Sequence, residues 1–174
     1  CAMQSTREKQ SYTKQMMPCS LFCKIIDDIS EFPDKLKVLR INGQGEPMLN
    51  PDFCKMIVYA KEKNIADWIE TITNGSCLNP ELNQNLANSG IDRIRISVEA
   101  LSSNGYKNIA NAKIDFDKFI DNIRDLHEKC RGKTEIYIKT VNVSVQTEED
   151  KNRFYEIFED ICDRIFIDNV IDRK

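Results

Sequence analysis

The chain has 174 residues, of which 41% are hydrophobic and 30% are charged, and its formal net charge is −3. This length fits a single globular domain, residues 1–174, with a sizeable core. The near-neutral charge gives no large basic surface for nucleic acid, and no apolar run approaches the roughly 20 residues of a membrane span.

The cysteine content indicates the compartment. Seven cysteines are scattered along the chain, an odd number that is typical of reduced thiols rather than of a disulfide framework. The beginning of the sequence also lacks the apolar segment of a secretory signal. We therefore expect a cytoplasmic protein with no membrane segment and no nucleic-acid partner.

The first predicted elements are a helix and a strand. Apolar residues at helical spacing predict a helix over residues 20–32, with Ser20 as its N-cap and Pro33 as its end. The short apolar run KLKVLRI, residues 35–41, then predicts a buried strand.

The segment GQGEP, residues 43–47, follows this strand and combines two glycines with a carboxylate. A surface turn needs one glycine at most, so we interpret the pair as backbone left bare for a ligand to approach. The alternative is a strand-to-helix turn in which Glu46 caps a helix N-terminus.

Helices and strands alternate along the rest of the chain. The predicted helices are 51–64, with Asn50 as cap, then 80–90, 115–132 and 147–162, and the predicted strands are 66–72, 91–100, 133–145 and 163–170. Such alternation predicts a parallel sheet, either open and doubly wound or closed as a barrel. Ligands gather where parallel strands end, which places four segments on one rim: 43–47, 73–75, 97–100 and 139–142.

In their order and spacing, these rim segments resemble the core of the radical S-adenosylmethionine superfamily. GQGEP is similar to that family's Gly-Gly-Glu motif, and three further segments resemble its later strand exits: ITNG at 72–75, IRISVEAL at 94–101 and YIKTVNV at 137–143. The resemblance covers roughly residues 21–169. It implies an α/β fold, a partial (β/α)6 TIM-like barrel in which the first strand is missing.

The resemblance also implies two cofactors, a 4Fe–4S cluster and S-adenosylmethionine. Three cysteines spaced C-x-x-x-C-x-x-C bind the cluster in that family, and Cys1 stands where the third belongs. The chain thus resembles a fragment that begins at its last cluster ligand, and as given it should not hold a stable cluster. Cys19 and Cys23 repeat part of the spacing, but Ile26 follows where cysteine is needed, so we interpret them as packing residues.

The cofactor-binding residues implied by the resemblance lie on the rim. Glu46 would accept hydrogen bonds from the cofactor's ammonium group, as would the glycine carbonyls. Ser97 and Glu99 suit ribose hydroxyls, or alternatively form a polar pair inside a small barrel. Arg95 and Lys139 would either meet an anionic group or pair with neighbouring acids. The full predicted set is Gly43, Gly45, Glu46, Pro47, Asn74, Ser97, Glu99, Lys139 and Asn142.

The implied activity is that of an enzyme. A reduced cluster would cleave S-adenosylmethionine to methionine and a 5′-deoxyadenosyl radical, which abstracts a hydrogen atom from a small-molecule or peptide substrate that the sequence does not identify. A reductant such as a flavodoxin or ferredoxin would supply the electron. The sequence assigns no catalytic side chain.

Two alternatives remain, a non-catalytic α/β binding scaffold that lacks the cluster and a cluster-free barrel enzyme that holds phosphate at its glycine loop. Against the second, the loop lacks a P-loop lysine, and Glu46 would repel phosphate.

Overall fold

The computed structural model describes residues 15–43 and 45–170. The strands are β1 Leu36–Arg40, β2 Ala66–Thr73, β3 Arg93–Ser97, β4 Glu135–Val141 and β5 Arg164–Asp168. The α-helices are α1 Cys19–Ser30, α2 Phe53–Glu62, α3 Pro80–Ser89, α4 Ser103–Ala110, α5 Phe116–Cys130 and α6 Glu148–Phe158. Short 3₁₀ turns occupy Pro47–Leu49, Asn142–Ser144 and Glu159–Ile161.

The five strands form one parallel sheet in the order β1-β2-β3-β4-β5. A doubly wound sheet reverses its strand order at a switch point, and this order does not reverse. The sheet is therefore of the barrel type. This confirms the predicted α/β fold of parallel strands alternating with helices. The prediction was a six-stranded barrel without its first strand, and the five observed strands agree with that number.

The two faces of the sheet differ in polarity. Ile94 and Ile96 of β3 are fully buried, as are Ile136 and Ile138 of β4, and all four belong to the apolar core that includes the helices. Alternate residues point to opposite faces of a strand, so Arg93, Arg95 and Ser97 lie on the other face, which we call the concave face because it corresponds to the inside of a barrel. Because the concave face is polar, it is suited to line a cavity rather than to pack in a hydrophobic core.

Helix α4 was not predicted from the sequence. Its segment SNGYKNIA contains a glycine and buries only Tyr106, so it has little helical periodicity to detect. Gly105 is required by close packing, because a Cβ built there would lie 2.8 Å from the Cβ of Ala100.

Two predicted helix caps were wrong. Helix α1 begins at Cys19, with Pro18 as N-cap, and the carbonyl of Pro18 accepts from the amides of Leu21 and Phe22. Helix α2 begins at Phe53, because the preceding backbone first turns around Asn50, whose Oδ1 accepts from the amide of Asp52 at 3.0 Å.

The predicted end of α3 and start of α6 were correct. Gly90 ends α3 in the left-handed region at φ 78°. Thr147 opens α6 with a reciprocal capping box to Asp150. None of the helices in the described part of the chain is long and apolar enough to cross a membrane.

Candidate active site

The carboxyl ends of the parallel strands share one rim of the sheet, which carries the predicted motifs. The glycine loop follows β1, and Asn74 follows β2. The loop that contains Glu99 follows β3, and Asn142 follows β4. Parallel pairing through the whole sheet is what brings these distant segments together.

Glu46 is held in a fixed position between two rim segments. Its Oε1 accepts from the hydroxyl of Thr73 at 2.6 Å and from the amide of Met48 at 3.2 Å. Its Oε2 accepts from the amide of Asn74 at 2.8 Å. The predicted capping alternative is thus present, since Glu46 caps the 3₁₀ turn that begins at Pro47. A carboxylate has about four acceptor positions, so one remains for a ligand.

The backbone at Gly43 and Gly45 faces open space. A Cβ built on either residue meets no described atom within 4 Å. Gly43 also has no left-handed φ, so neither its backbone torsion nor packing against the described residues requires glycine there. An approaching ligand would explain the absence of a side chain at both positions.

Two predicted rim amides bond to the backbone beside them. Asn74 Oδ1 accepts from the amide of Ser76 at 2.9 Å, and Asn142 Oδ1 accepts from the amide of Val170 at 3.2 Å. The Nδ2 donors of both residues have no acceptor among the described residues. Asn42, which the sequence reasoning missed, bonds in the same way to the amide of Ile72 at 2.9 Å. The sequence feature that could have identified Asn42 is its position, two residues beyond the end of a strand.

Ser97 and Glu99 present side chains that are free to bind a ligand. Both are partly exposed, and neither the hydroxyl nor the carboxylate bonds to any described residue. Tyr106 anchors their loop, because its hydroxyl accepts from the Glu99 amide at 3.3 Å. Burial raises the pKa of Tyr106 to about 12, so this phenol stays protonated. Ser97 and Glu99 do not bond to each other, and the alternative of a polar pair inside a small barrel stays open.

Arg95 and Lys139 on the concave face are paired with acids, as one of the two interpretations of these residues predicted. Lys139 Nζ lies 2.9 Å from Asp168 Oδ2. Arg95 donates to Oε2 of Glu70 through Nε at 3.2 Å and Nη2 at 3.1 Å. Glu70 was not identified from the sequence. The feature that could have identified it is an acidic residue in the middle of a strand, opposite two arginines.

The predicted cluster ligand Cys1 lies outside the described residues. Across residues 15–43 and 45–170, no three His, Cys, Asp or Glu side chains are grouped to hold a metal ion. The thiols of Cys19 and Cys23 are 4.0 Å apart, and Cys19 packs on the core. Burial raises the pKa of Cys54 to about 11, which opposes the thiolate form that metals need.

Comparison with known proteins identifies the family. The profile of the Radical SAM superfamily matches residues 24–161. A tungsten-containing aldehyde ferredoxin oxidoreductase cofactor-modifying protein of Pyrococcus furiosus is 38% identical over 85 residues, 49% of this chain and 23% of that protein. An AdoMet-dependent heme synthase of Nitratidesulfovibrio vulgaris is 27% identical over 140 residues, 79% of this chain and 35% of that protein. The chain thus matches between 23% and 35% of the length of these relatives.

Solved structures share the fold. The structure of anSMEcpe with bound AdoMet and a Kp18Cys peptide has a TM-score of 0.67 at 19% identity, covering 94% of this chain and 46% of that one. Coproporphyrinogen III oxidase from Escherichia coli, a radical SAM enzyme, has a TM-score of 0.60 at 14% identity, covering 91% of this chain and 39% of that one. Because the family match runs from α1 through α6, this chain belongs to the Radical SAM superfamily, a family of enzymes.

Proposed function

We propose that the protein is a radical S-adenosylmethionine enzyme whose rim binds S-adenosylmethionine. The observation that carries this proposal is the open backbone of Gly43 and Gly45 beside the fixed carboxylate of Glu46. A Cβ at either glycine would occupy the space through which the cofactor's amino acid moiety approaches.

Each rim residue has a role that fits its bonding. Glu46 uses its remaining acceptor position for the cofactor ammonium, together with the glycine carbonyls. Ser97 and Glu99, which have no partners among the described residues, hold the ribose hydroxyls. Asn74 and Asn142 offer their free Nδ2 donors at the same rim. Pro47 and Lys139 complete the proposed set: Pro47 starts the turn that Glu46 caps, and Lys139 stays paired with Asp168.

A 4Fe–4S cluster ligated by Cys1 is the second part of the proposal. With the cluster and S-adenosylmethionine bound, the site would supply a 5′-deoxyadenosyl radical for hydrogen abstraction from substrate. The described cysteines do not form a ligand set for a cluster. A flavodoxin or ferredoxin as reductant, and a location in the cytoplasm, belong to the same proposal.

The test uses the protein expressed from its complete gene and reconstituted anaerobically with iron and sulfide. We expect about four irons per chain, saturable S-adenosylmethionine binding by calorimetry, and release of methionine and 5′-deoxyadenosine on reduction. Cys1→Ala should abolish iron uptake, whereas the matched control Cys23→Ala should retain it. Full iron uptake by Cys1→Ala would refute the cluster assignment.

The same experiment separates the two alternatives. A binding scaffold would take up neither iron nor S-adenosylmethionine. A phosphate-binding barrel enzyme would bind inorganic phosphate at the glycine loop, which Glu46 opposes by its negative charge.

A further inference from the structure

The concave face of the sheet holds more guanidinium groups than carboxylates to balance them. Glu70, with only 2% of its side chain exposed, receives hydrogen bonds from three arginines. Arg40 donates to its Oε1 through Nε at 2.7 Å, and Arg95 donates twice to its Oε2. Arg93 reaches the same oxygen at 3.5 Å but bonds mainly to Glu135, at 2.9 and 2.7 Å. Three guanidinium groups therefore share two carboxylates.

The strand register produces this cluster. Arg40 of β1 pairs with Glu70 of β2, which pairs with Arg93 of β3, which pairs with Glu135 of β4. Arg95 lies two residues along β3 and so points to the same face. Burial alone would raise the pKa of Glu70, but the arginines, led by Arg40, outweigh it and hold that pKa below its usual value.

Unused donors of this cluster face accessible space. Arg95 uses Nε and Nη2 to bond to Glu70, and its Nη1 group bonds to no described residue. The Arg95 side chain as a whole is 27% exposed. One bidentate arginine would suffice to neutralise Glu70, and burying further cations for that purpose alone is unfavourable.

Aromatic rings hold the guanidinium groups in place. The Arg93 guanidinium lies 4.9 Å from the ring centre of Trp68 and 4.5 Å from that of Tyr137. The Arg95 guanidinium lies 5.7 Å from the Tyr137 ring. Such contacts fix the orientation of the planar groups before any ligand arrives. Trp68 is itself 41% exposed, so it borders the same open space.

We propose that Arg40, Arg93 and Arg95, bordered by Trp68, form a subsite for an oxyanion, a carboxylate or phosphate group of the substrate. Guanidinium forks match both oxyanions in bidentate geometry. The subsite is positive although the whole chain carries a formal charge of −3. That the bound anion is the substrate rests on the proposed function; the subsite itself does not.

Trp68 supplies the readout, because it is the only tryptophan of the chain. Its fluorescence would be followed while inorganic pyrophosphate, or separately malonate, is added at constant ionic strength set with chloride. We expect a saturable change, with a Kd in the millimolar range or tighter, for at least one anion. Response to pyrophosphate alone identifies a phosphate group, and response to malonate alone a carboxylate.

Substitutions test whether the arginines bind the anion. Arg95→Gln should weaken binding about tenfold or more. The half-exposed Arg40→Gln gives the same test with less risk to folding. Arg124→Gln, on the exposed surface of α5, is the matched control and should bind like wild type.

The absence of any saturable change, or equal binding by wild type and both cluster variants, would overturn the subsite. Neither cluster nor S-adenosylmethionine is needed for this titration. Its failure is therefore distinct from a failure of cofactor binding.

Discussion

Gly45 lies in open space beside the carboxylate of Glu46, and this arrangement separates cofactor binding from folding. A Cβ at Gly45 meets no described atom within 4 Å, so Gly45→Val should change the midpoint of thermal unfolding by no more than about 2 °C. S-adenosylmethionine binding, measured by calorimetry on the reconstituted protein, should weaken about tenfold or more because the side chain fills the approach to the backbone. Glu46→Gln should weaken binding less, since the amide keeps an acceptor.

Unchanged affinity in both variants would show that the loop is only a turn. Weaker binding accompanied by a large loss of thermal stability would point to misfolding instead. The two measurements therefore have to be made on the same preparations.

Glu70 should make stability depend on pH. The arginines lower its pKa in the folded state, so its ionised form stabilises the protein above the pKa of the unfolded chain, roughly 4.3. That contribution is lost as pH falls through the lower folded-state value. Glu70→Gln should cost roughly 3 kcal/mol at pH 7, because three arginines lose their buried counter-charge.

Urea unfolding between neutral and acidic pH would measure this effect. The difference in free energy of unfolding between wild type and Glu70→Gln should become smaller as pH falls below about 4. The substitution control is Glu128→Gln, on the exposed face of α5, which should cost less than about 0.5 kcal/mol at pH 7. A constant difference between wild type and Glu70→Gln at all pH values would contradict the ionised buried carboxylate.

At the scale of single residues, the sequence identified those functional residues that lie within one short motif. Glu46 was identified from GQGEP, but its partner Thr73 was not, because the contact joins residues 27 positions apart. Glu70 was missed for the same reason: its arginines lie on two other strands. A charge in a strand can be recognised from sequence, whereas its counter-ion depends on strand order.

Among the elements, α6 shows how a local signal fixes a helix boundary. The Thr147 hydroxyl accepts from the Asp150 amide at 3.0 Å, and the Asp150 carboxylate accepts from the Thr147 amide at 3.2 Å. Thr147→Ala should therefore lower the free energy of unfolding by about 1 kcal/mol in urea titrations. Thr147→Ser keeps the hydroxyl and should lose only a few tenths. Equal losses would show that the capping box does not stabilise α6.

Elements without local signals could not be placed from sequence. Helix α4 has one buried side chain, so its stability comes from Tyr106 packing beside Phe116 and Phe119 of α5. Every predicted strand except β2 was also too long: the prediction for β4 covered 133–145, whereas the strand is Glu135–Val141. The alternation of polar and apolar residues continues through the 3₁₀ turn Asn142–Ser144, and only the strand pairing marks the true end of β4.

For the whole molecule, alternation of helices and strands predicted the fold class but left open sheet and barrel equally possible. The resemblance favoured the barrel, and the sequential strand order decided it. The polarity of the concave face, with arginines where a closed small barrel would pack apolar side chains, could not be inferred from alternation. It follows from which residues of neighbouring strands share a face.

The outer edge of β1 leads to the last prediction. No described strand pairs with that edge, and β1 presents Val38 with 46% of its surface exposed beside Trp68. Natural edge strands are protected by charge, proline or brevity, and Lys37 and Arg40 give β1 only partial protection. We expect the chain of residues 1–174 to associate through this edge as its concentration rises, and sedimentation velocity would measure this association. Val38→Lys should shift the protein toward monomer, whereas Val58→Lys, exposed on α2, should not. A wild-type protein that stays monomeric at all concentrations, with rapid hydrogen exchange along Leu36–Arg40, would show that the open edge needs no partner.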